Sequence, residues 1–174
     1  MKHILTEPFT KEKTAAFKTG DTVLITGTIY AARDAAHKRL QEMIEKGEPL
    51  PFDLENAIIY YAGPTPARPG NPIGSAGPTT SYRMDPYTPL MLEQGVLATV
   101  GKGPRGDAVI QKMVDEKAVY LAVIGGAAAL ISQSIEAAEV VAFEELGTEA
   151  IRKLTVDKFP VFVAIDQTGD SIYR

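Results

Sequence analysis

Gly95-Val96-Leu97-Ala98-Thr99-Val100 runs into Gly101-Lys102-Gly103-Pro104-Arg105-Gly106, then into Asp107 to Glu116 and Val119 to Ile124. The first and last of these are apolar runs of strand length, and the glycine-rich six form a turn. Between them, Val109, Ile110, Met113 and Val114 place one apolar face on a helix. Strand, turn, helix and strand in that order mark an α/β domain.

The alternation continues on the N-terminal side. Thr22 to Thr26 reads as a short apolar strand that Gly27 breaks, after a strand at His3 to Leu5 and a charged approach. Ala32, Ala36, Leu40 and Met43 follow at intervals of four, four and three, which predicts a helix that Gly47 stops. Ala57 to Ala62 is the next strand. Gly63 to Gly77 holds Pro64, Pro66, Pro69 and Pro72 and is expected to be a functional loop. A short helix is expected around Thr88 to Leu92. On the C-terminal side, Gly125 to Gln133 reads as a small-residue turn and helix, its alanines serving close packing. Glu136 to Phe143 and Ile151 to Val156 read as strands. Pro160 to Ile165 is expected to pair with Ser171 to Tyr173 across the Asp166-to-Asp170 turn. The expectation is one α/β domain over residues 1–174, with a mixed sheet and a C-terminal hairpin.

Composition narrows the chemistry. A net charge of −4 gives no support for a nucleic-acid partner. The chain has no cysteine, which excludes disulfides, a thiolate nucleophile and any thiolate-ligated metal or cluster on this polypeptide. His3 and His37 are its two histidines, too few to predict a histidine metal site. The longest apolar run, Val119 to Ile131, falls short of the roughly 20 residues that a membrane span needs and contains Gly125-Gly126. The N-terminus lacks the pattern of a signal peptide. A soluble, cytoplasmic domain is expected.

Three junctions carry polar chemistry. Arg33 lies in the first turn of the predicted helix, where a cation opposes the helix dipole; either it is solvated and paired with Asp34, or it meets an anion there. Gly77-Pro78-Thr79-Thr80-Ser81-Tyr82-Arg83-Met84-Asp85 concentrates hydroxyls, a guanidinium and a carboxylate on a restrained loop, either an anion site or a hydroxyl-rich turn. Lys102, between two glycines at a strand-to-helix junction, can reach a ligand close to the backbone, or it is a flexible surface lysine. The spacing around it is not that of a Walker A loop.

These segments resemble the C-terminal domain, or separate β subunit, of the class I fumarase and L-tartrate dehydratase family of iron–sulfur hydro-lyases. The resemblance is carried by Arg33-Asp34-Ala35-Ala36-His37-Lys38-Arg39, Tyr61-Ala62-Gly63-Pro64, Gly77-Pro78-Thr79-Thr80-Ser81 with Arg83-Met84-Asp85, and Gly101-Lys102-Gly103. Gly125-Gly126-Ala127-Ala128 and Phe159-Pro160-Val161-Phe162 extend it to nearly the whole chain. Tyr82 departs from the pattern, which has a smaller residue there.

The resemblance implies a swivelling β/β/α fold and a larger α subunit carrying a [4Fe–4S] cluster on three cysteines, in an α2β2 assembly, with a dicarboxylate between the two parts. It assigns the proton-transferring hydroxyl to Thr79. Arg33 and Arg83 then grip carboxylates, Thr80 contacts substrate, and Lys102 adds a catalytic point charge. His37 supports the clamp, and Asp85 anchors Arg83 or the loop. Fumarate and (S)-malate are the favoured pair, and L-tartrate with oxaloacetate the alternative. A non-catalytic dicarboxylate-binding module is the competing class.

Overall fold

The computed structural model describes residues 1–124 and 128–173. Its elements are β1 (Lys2–Thr6), α1 (Lys11–Thr14), β2 (Thr22–Ala31), α2 (Asp34–Glu45), β3 (Ile58–Tyr60), α3 (Thr88–Glu93), β4 (Ala98–Gly101), α4 (Asp107–Glu116), β5 (Val119–Val123), α5 (Ala128–Ser134), β6 (Ile135–Ala142) and β7 (Ile151–Ile165). Two 3-10 turns, Ser81–Met84 and Glu144–Glu149, complete the list. Of the small-residue turn expected at Gly125 to Gln133, Gly125 to Ala127 lie outside the described residues, and the helical part is α5.

The seven strands form one mixed sheet in the order β1-β2-β3-β4-β5-β7-β6, with an additional β2–β7 pairing. β2, β3, β4 and β5 run parallel, and β7 is antiparallel to both β5 and β2. The sheet therefore closes on itself as β2-β3-β4-β5-β7. β1 and β6 lie outside that ring because the two long strands change neighbours partway along. β2 pairs with β1 over Thr22 to Thr26 and with β3 at Tyr30 and Ala31. β7 pairs with β6 over Ile151 to Val156 and with β5 from Val161 to Ile165.

Three expectations change here. Gly27 does not end β2: the strand continues to Ala31, and at the register shift between Ile25 and Gly27 the extra residue lies on β7, where Asp157 and Lys158 face Thr26. Gly27 has φ +143°, and the space a Cβ would take is filled by the Glu7 side chain, whose Oε1 accepts from the Thr28 N–H at 2.5 Å. An added residue at a bulge bends a strand without breaking its ladder. Ile151 to Val156 and Pro160 to Ile165 are likewise halves of one strand, joined through the bulge at Asp157 and Lys158 opposite Thr26. The Thr26 hydroxyl fills the gap, accepting from the Lys158 N–H at 3.0 Å and donating to Asp157 at 3.3 Å. The expected C-terminal hairpin is reduced to a single bridge, Ile165 to Ser171, with the Ile172 N–H donating to the Ala164 carbonyl.

Alternation along the strands divides the core. Ile58 and Tyr60 of β3 belong to a cluster with Ile25, Ile29, Val100, Leu121, Leu154, Phe159 and Val163. Their neighbours Ile59 and Tyr61 belong to a second cluster, with Leu40 of α2, Met91 and Leu92 of α3, and Val109 and Met113 of α4. Both faces of β3 are buried, as parallel strands covered by helices require.

Candidate active site

The segments that follow β2, β3 and β4 emerge at the same end of the parallel strands, the usual place for a ligand in an α/β sheet. Arg33 follows β2, Thr79 is tied to the end of β3, and Lys102 follows β4. The Thr79 N–H donates to the Tyr61 carbonyl at 2.7 Å, and the Ser81 N–H donates to the Lys102 carbonyl at 2.9 Å. Thr80 forms a parallel bridge with Lys102. Thr79 to Ser81 is thus a short fringe hydrogen-bonded onto the ends of β3 and β4. This brings the Thr-rich loop and the glycine-flanked lysine into contact. The Tyr120 hydroxyl adds a buried link, with Ser81 Oγ at 2.7 Å and the Gly103 carbonyl at 2.8 Å.

Arg33 is the N-cap residue of α2 and makes no side-chain cap. Its side chain crosses Gly63, where a Cβ would stand 2.9 Å from Arg33 Cδ and 3.0 Å from the Thr148 carbonyl. Only a glycine leaves room for that crossing. The anion at the helix start is supplied from within the chain, since Glu149 accepts from the Ala35 N–H at 3.1 Å. Asp34 stands between two guanidiniums. Its Oδ2 is 3.1 Å from both Nε and Nη2 of Arg83, while its Oδ1 is 3.7 Å from Arg33 Nε. Arg33 Nε and Asp34 Oδ1 are buried without hydrogen-bond partners. Arg33 and Arg83 therefore form one unit through a shared carboxylate. Arg83, Tyr82 and Lys102 are exposed, whereas Thr79 is buried.

His37 is buried and neutral. Desolvation pushes its pKa down to about 4, the hydrogen bond to the Arg33 carbonyl opposes that, and the charge of Arg105 lowers it further. Its Nδ1 lies 2.7 Å from the Arg33 carbonyl, which can only accept, so the proton is on Nδ1. The ring packs edge-on to Tyr61. His37 thus holds the backbone of Arg33, as a support of the clamp would.

Asp85 is expected to anchor Arg83 or the loop. Arg83 is held by Asp34 instead; Asp85 ties its own loop to the next one, pairing with Arg105 at 2.8 Å and accepting from the Gly106 N–H at 2.8 Å. Arg105 is the residue that the sequence analysis left without a role. Its side chain is 0% exposed. No local pattern marks it, because its partners come from several separate elements.

Among the described residues no cluster of histidine and carboxylate side chains could hold a metal ion. A cavity of about 330 Å³ lies in the proline-rich loop, between Thr65 and Ser75 on one side and Ser132 on the other, and no clamp residue lines it. No helix among the described residues is long and apolar enough to cross a membrane.

The ends of the parallel strands thus bring cationic and hydroxyl side chains together in an α/β protein. The comparisons with known proteins are more specific: the chain belongs to the Fumarase C-terminus family, whose model matches residues 2–174. It is 39% identical over 165 residues to fumarate hydratase 2 of Leishmania major, covering 94% of this chain and 29% of the relative. It is 42% identical over 152 residues to the anaerobic class I fumarate hydratase of Escherichia coli, covering 86% of this chain and 28% of the relative. It is 41% identical over 171 residues to a protein of Methanocaldococcus jannaschii named "Putative L(+)-tartrate dehydratase subunit beta", covering 95% of this chain and 88% of that one. The chain therefore spans less than a third of each of these two fumarate hydratases and nearly nine-tenths of the β subunit.

Proposed function

We propose that this chain is the β part of a dicarboxylate hydro-lyase, a carbon–oxygen lyase that interconverts fumarate and (S)-malate together with a cluster-bearing α subunit. The observation that carries the reading is the Arg33–Asp34–Arg83 unit beside the joined Thr79 and Lys102 loops. L-Tartrate dehydration to oxaloacetate is the second reading, favoured by the relative whose length this chain nearly covers. A non-catalytic dicarboxylate-binding module is the competing class, less well supported because the relatives are named as hydratases and a dehydratase subunit. The same reading makes residues 1–174 a single swivelling β/β/α domain that works in the cytoplasm within an α2β2 assembly; the closed mixed sheet supports the domain, and the exposure of Arg83 and Lys102 supports a partner that covers them.

Hydration places a proton on one carbon of the double bond and a hydroxide on the other. Two substrate carboxylates require two cations, and Arg33 and Arg83 each offer a planar fork to one of them. Lys102 stabilises negative charge that develops as the reaction proceeds. Thr79 moves the proton: in hydration its hydroxyl gives a proton to carbon and is restored by the proton that the water releases, and in dehydration the threonine oxygen removes one, which leaves with the hydroxide as water. Free threonine is a weak base, so this role requires the cationic surroundings of Arg83 and Lys102. Thr80 contacts substrate, His37 fixes the Arg33 backbone, and Asp85 anchors the loop through Arg105.

This chain offers a cluster no cysteine, and its two histidines are committed to Asp21 and to the Arg33 carbonyl. These donors do not fit a cluster site, which supports placing the [4Fe–4S] group on the α subunit. There it would supply the Lewis acid that acidifies water. The test is anaerobic co-expression with a cysteine-bearing α subunit and assay of the complex and of this chain alone on fumarate, malate and tartrate. Turnover by the complex alone is the expected result. Turnover by the chain alone, or none by the loaded complex, would refute the two-subunit hydro-lyase reading.

A further inference from the structure

A buried arginine is costly unless its charge and all its donors are satisfied. Arg105 lies under the site with its guanidinium between the rings of Tyr61 and Tyr120, at 5.2 and 5.1 Å. Its Nε donates to Asp85 Oδ1 at 2.8 Å and its Nη2 to Thr88 Oγ1 at 2.6 Å. Its Nη1 donates to the Tyr61 hydroxyl at 3.2 Å and to Thr99 Oγ1 at 3.1 Å. Thr88 passes the link on to the Met84 carbonyl at 2.9 Å, and Asp85 closes back on the Gly106 N–H. Burial opposes the charge, yet Tyr61, Asp85 and Tyr120 outweigh it and move the pKa upward, so the group stays ionised.

The partners are not a random set. Met84 and Asp85 end the 3-10 turn that carries Arg83 and follows Thr79 and Thr80. Tyr61 is the residue whose carbonyl receives the Thr79 N–H. Thr99 belongs to β4, which leads into Lys102, and Arg105 itself follows Lys102 by three residues. One side chain therefore touches the backbone supports of both loops. An apolar side chain of similar volume would fill the same space without the desolvation cost, so packing does not account for the arginine.

We propose that Arg105, with Asp85, is a positioning residue that sets Thr79 and Arg83 against Lys102. Its planar fork has donors in fixed directions, which determine the spacing of the two loops in a way that a hydrophobic plug or a lysine cannot. The kinetic part of this inference rests on the hydro-lyase reading; the geometric part does not.

The test has two arms on Arg105→Met, Arg105→Lys and Asp85→Asn. In the first, native-state amide hydrogen exchange is measured on the full chain alone. Arg105→Met and Asp85→Asn are each expected to speed exchange at the Thr79 and Ser81 amides by about tenfold or more, with β3 and β5 unchanged. Arg105→Lys falls between them and the unaltered chain. Unchanged protection at those two amides, or a loss spread equally over β3 and β5, overturns the proposal. Asp85→Asn supplies the answer if Arg105→Met does not fold. In the second arm the same variants are assayed with the α subunit. kcat is expected to fall by about 10–100-fold, with KM within about threefold and part of kcat restored in Arg105→Lys. An unaltered kcat in a folded Arg105→Met complex also overturns the proposal. If the unaltered complex turns over no dicarboxylate, the hydro-lyase reading fails, and the exchange arm decides the positioning role by itself.

Discussion

Gly101→Ala should disrupt the site through space alone. Gly101 is not in the left-handed region, so its backbone accepts alanine. The added Cβ, however, would stand 2.0 Å from Ser81 Oγ, 3.0 Å from the Tyr61 ring and 3.2 Å from the Thr79 carbonyl. Ordinary contact distances would require the buried Ser81 to move by more than an ångström, away from its 2.7 Å bond to Tyr120. Overpacking of this kind costs about 1–3 kcal/mol, and a buried hydroxyl left without its partner costs about 1–3 kcal/mol more. For a chain of this length each kcal/mol lowers Tm by about 2–4 °C. Because Thr79 is attached to the same fringe, a shift of this size should also lower kcat by about 10²-fold. The assay is thermal unfolding of the chain together with steady-state kinetics of the reconstituted complex. Gly77→Ala is the control, since nothing lies within 4 Å of the Cβ it would add. The double variant Gly101→Ala/Ser81→Ala should regain stability over the single one, because the colliding oxygen is gone. If Gly101→Ala matched Gly77→Ala in Tm and kcat, the close packing of the two loops would not be what holds Thr79 in place.

Three further outcomes are expected. Thr79→Val keeps shape and removes only the hydroxyl, so kcat should fall by about 10²–10⁴-fold with little change in dicarboxylate inhibitor affinity; Thr80→Val should be milder, and equal losses in both would move the proton-transfer role elsewhere. Arg33→Ala should weaken inhibitor binding by about 2–5 kcal/mol, and calorimetry showing unchanged affinity would remove Arg33 from the dicarboxylate clamp. Asp166 shapes the C-terminal turn: burial would raise its pKa, but hydrogen bonds from Thr168, Thr19 and Asp170 outweigh burial and leave it lowered. Its contribution to stability is therefore present above the unfolded carboxyl value of about 3.9 and lost as pH falls through the lower folded value. Asp166→Asn should flatten that acid limb in urea unfolding followed against pH, and an unaltered slope would count against the assignment.

What could be read along the chain was whatever repeats at short range. The helix faces at Ala32 to Met43 and Val109 to Val114, the apolar strands and the glycine-rich turn at Gly101 to Gly106 all follow from periodicities within a dozen residues. Their elements appear as α2, α4, β4 and β5. The polar residues at the strand ends were equally legible, because Arg33, Thr79, Arg83 and Lys102 interrupt those patterns. Tertiary structure alone decided how they meet. Local pattern gives each strand two edges but does not say which strand takes each edge, so the β2–β7 pairing that closes the sheet was not predictable from it. The same limit applied to Gly27, whose strand runs on beside a Glu7 side chain from another segment that takes the place of a Cβ and accepts from the Thr28 N–H. It applied most to the ion pairs. Asp34 and Arg83 are 49 residues apart and Asp85 and Arg105 are 20 apart. A carboxylate next to an arginine in sequence need not be its partner, since Coulomb energy depends on separation in space and on the water excluded between the charges.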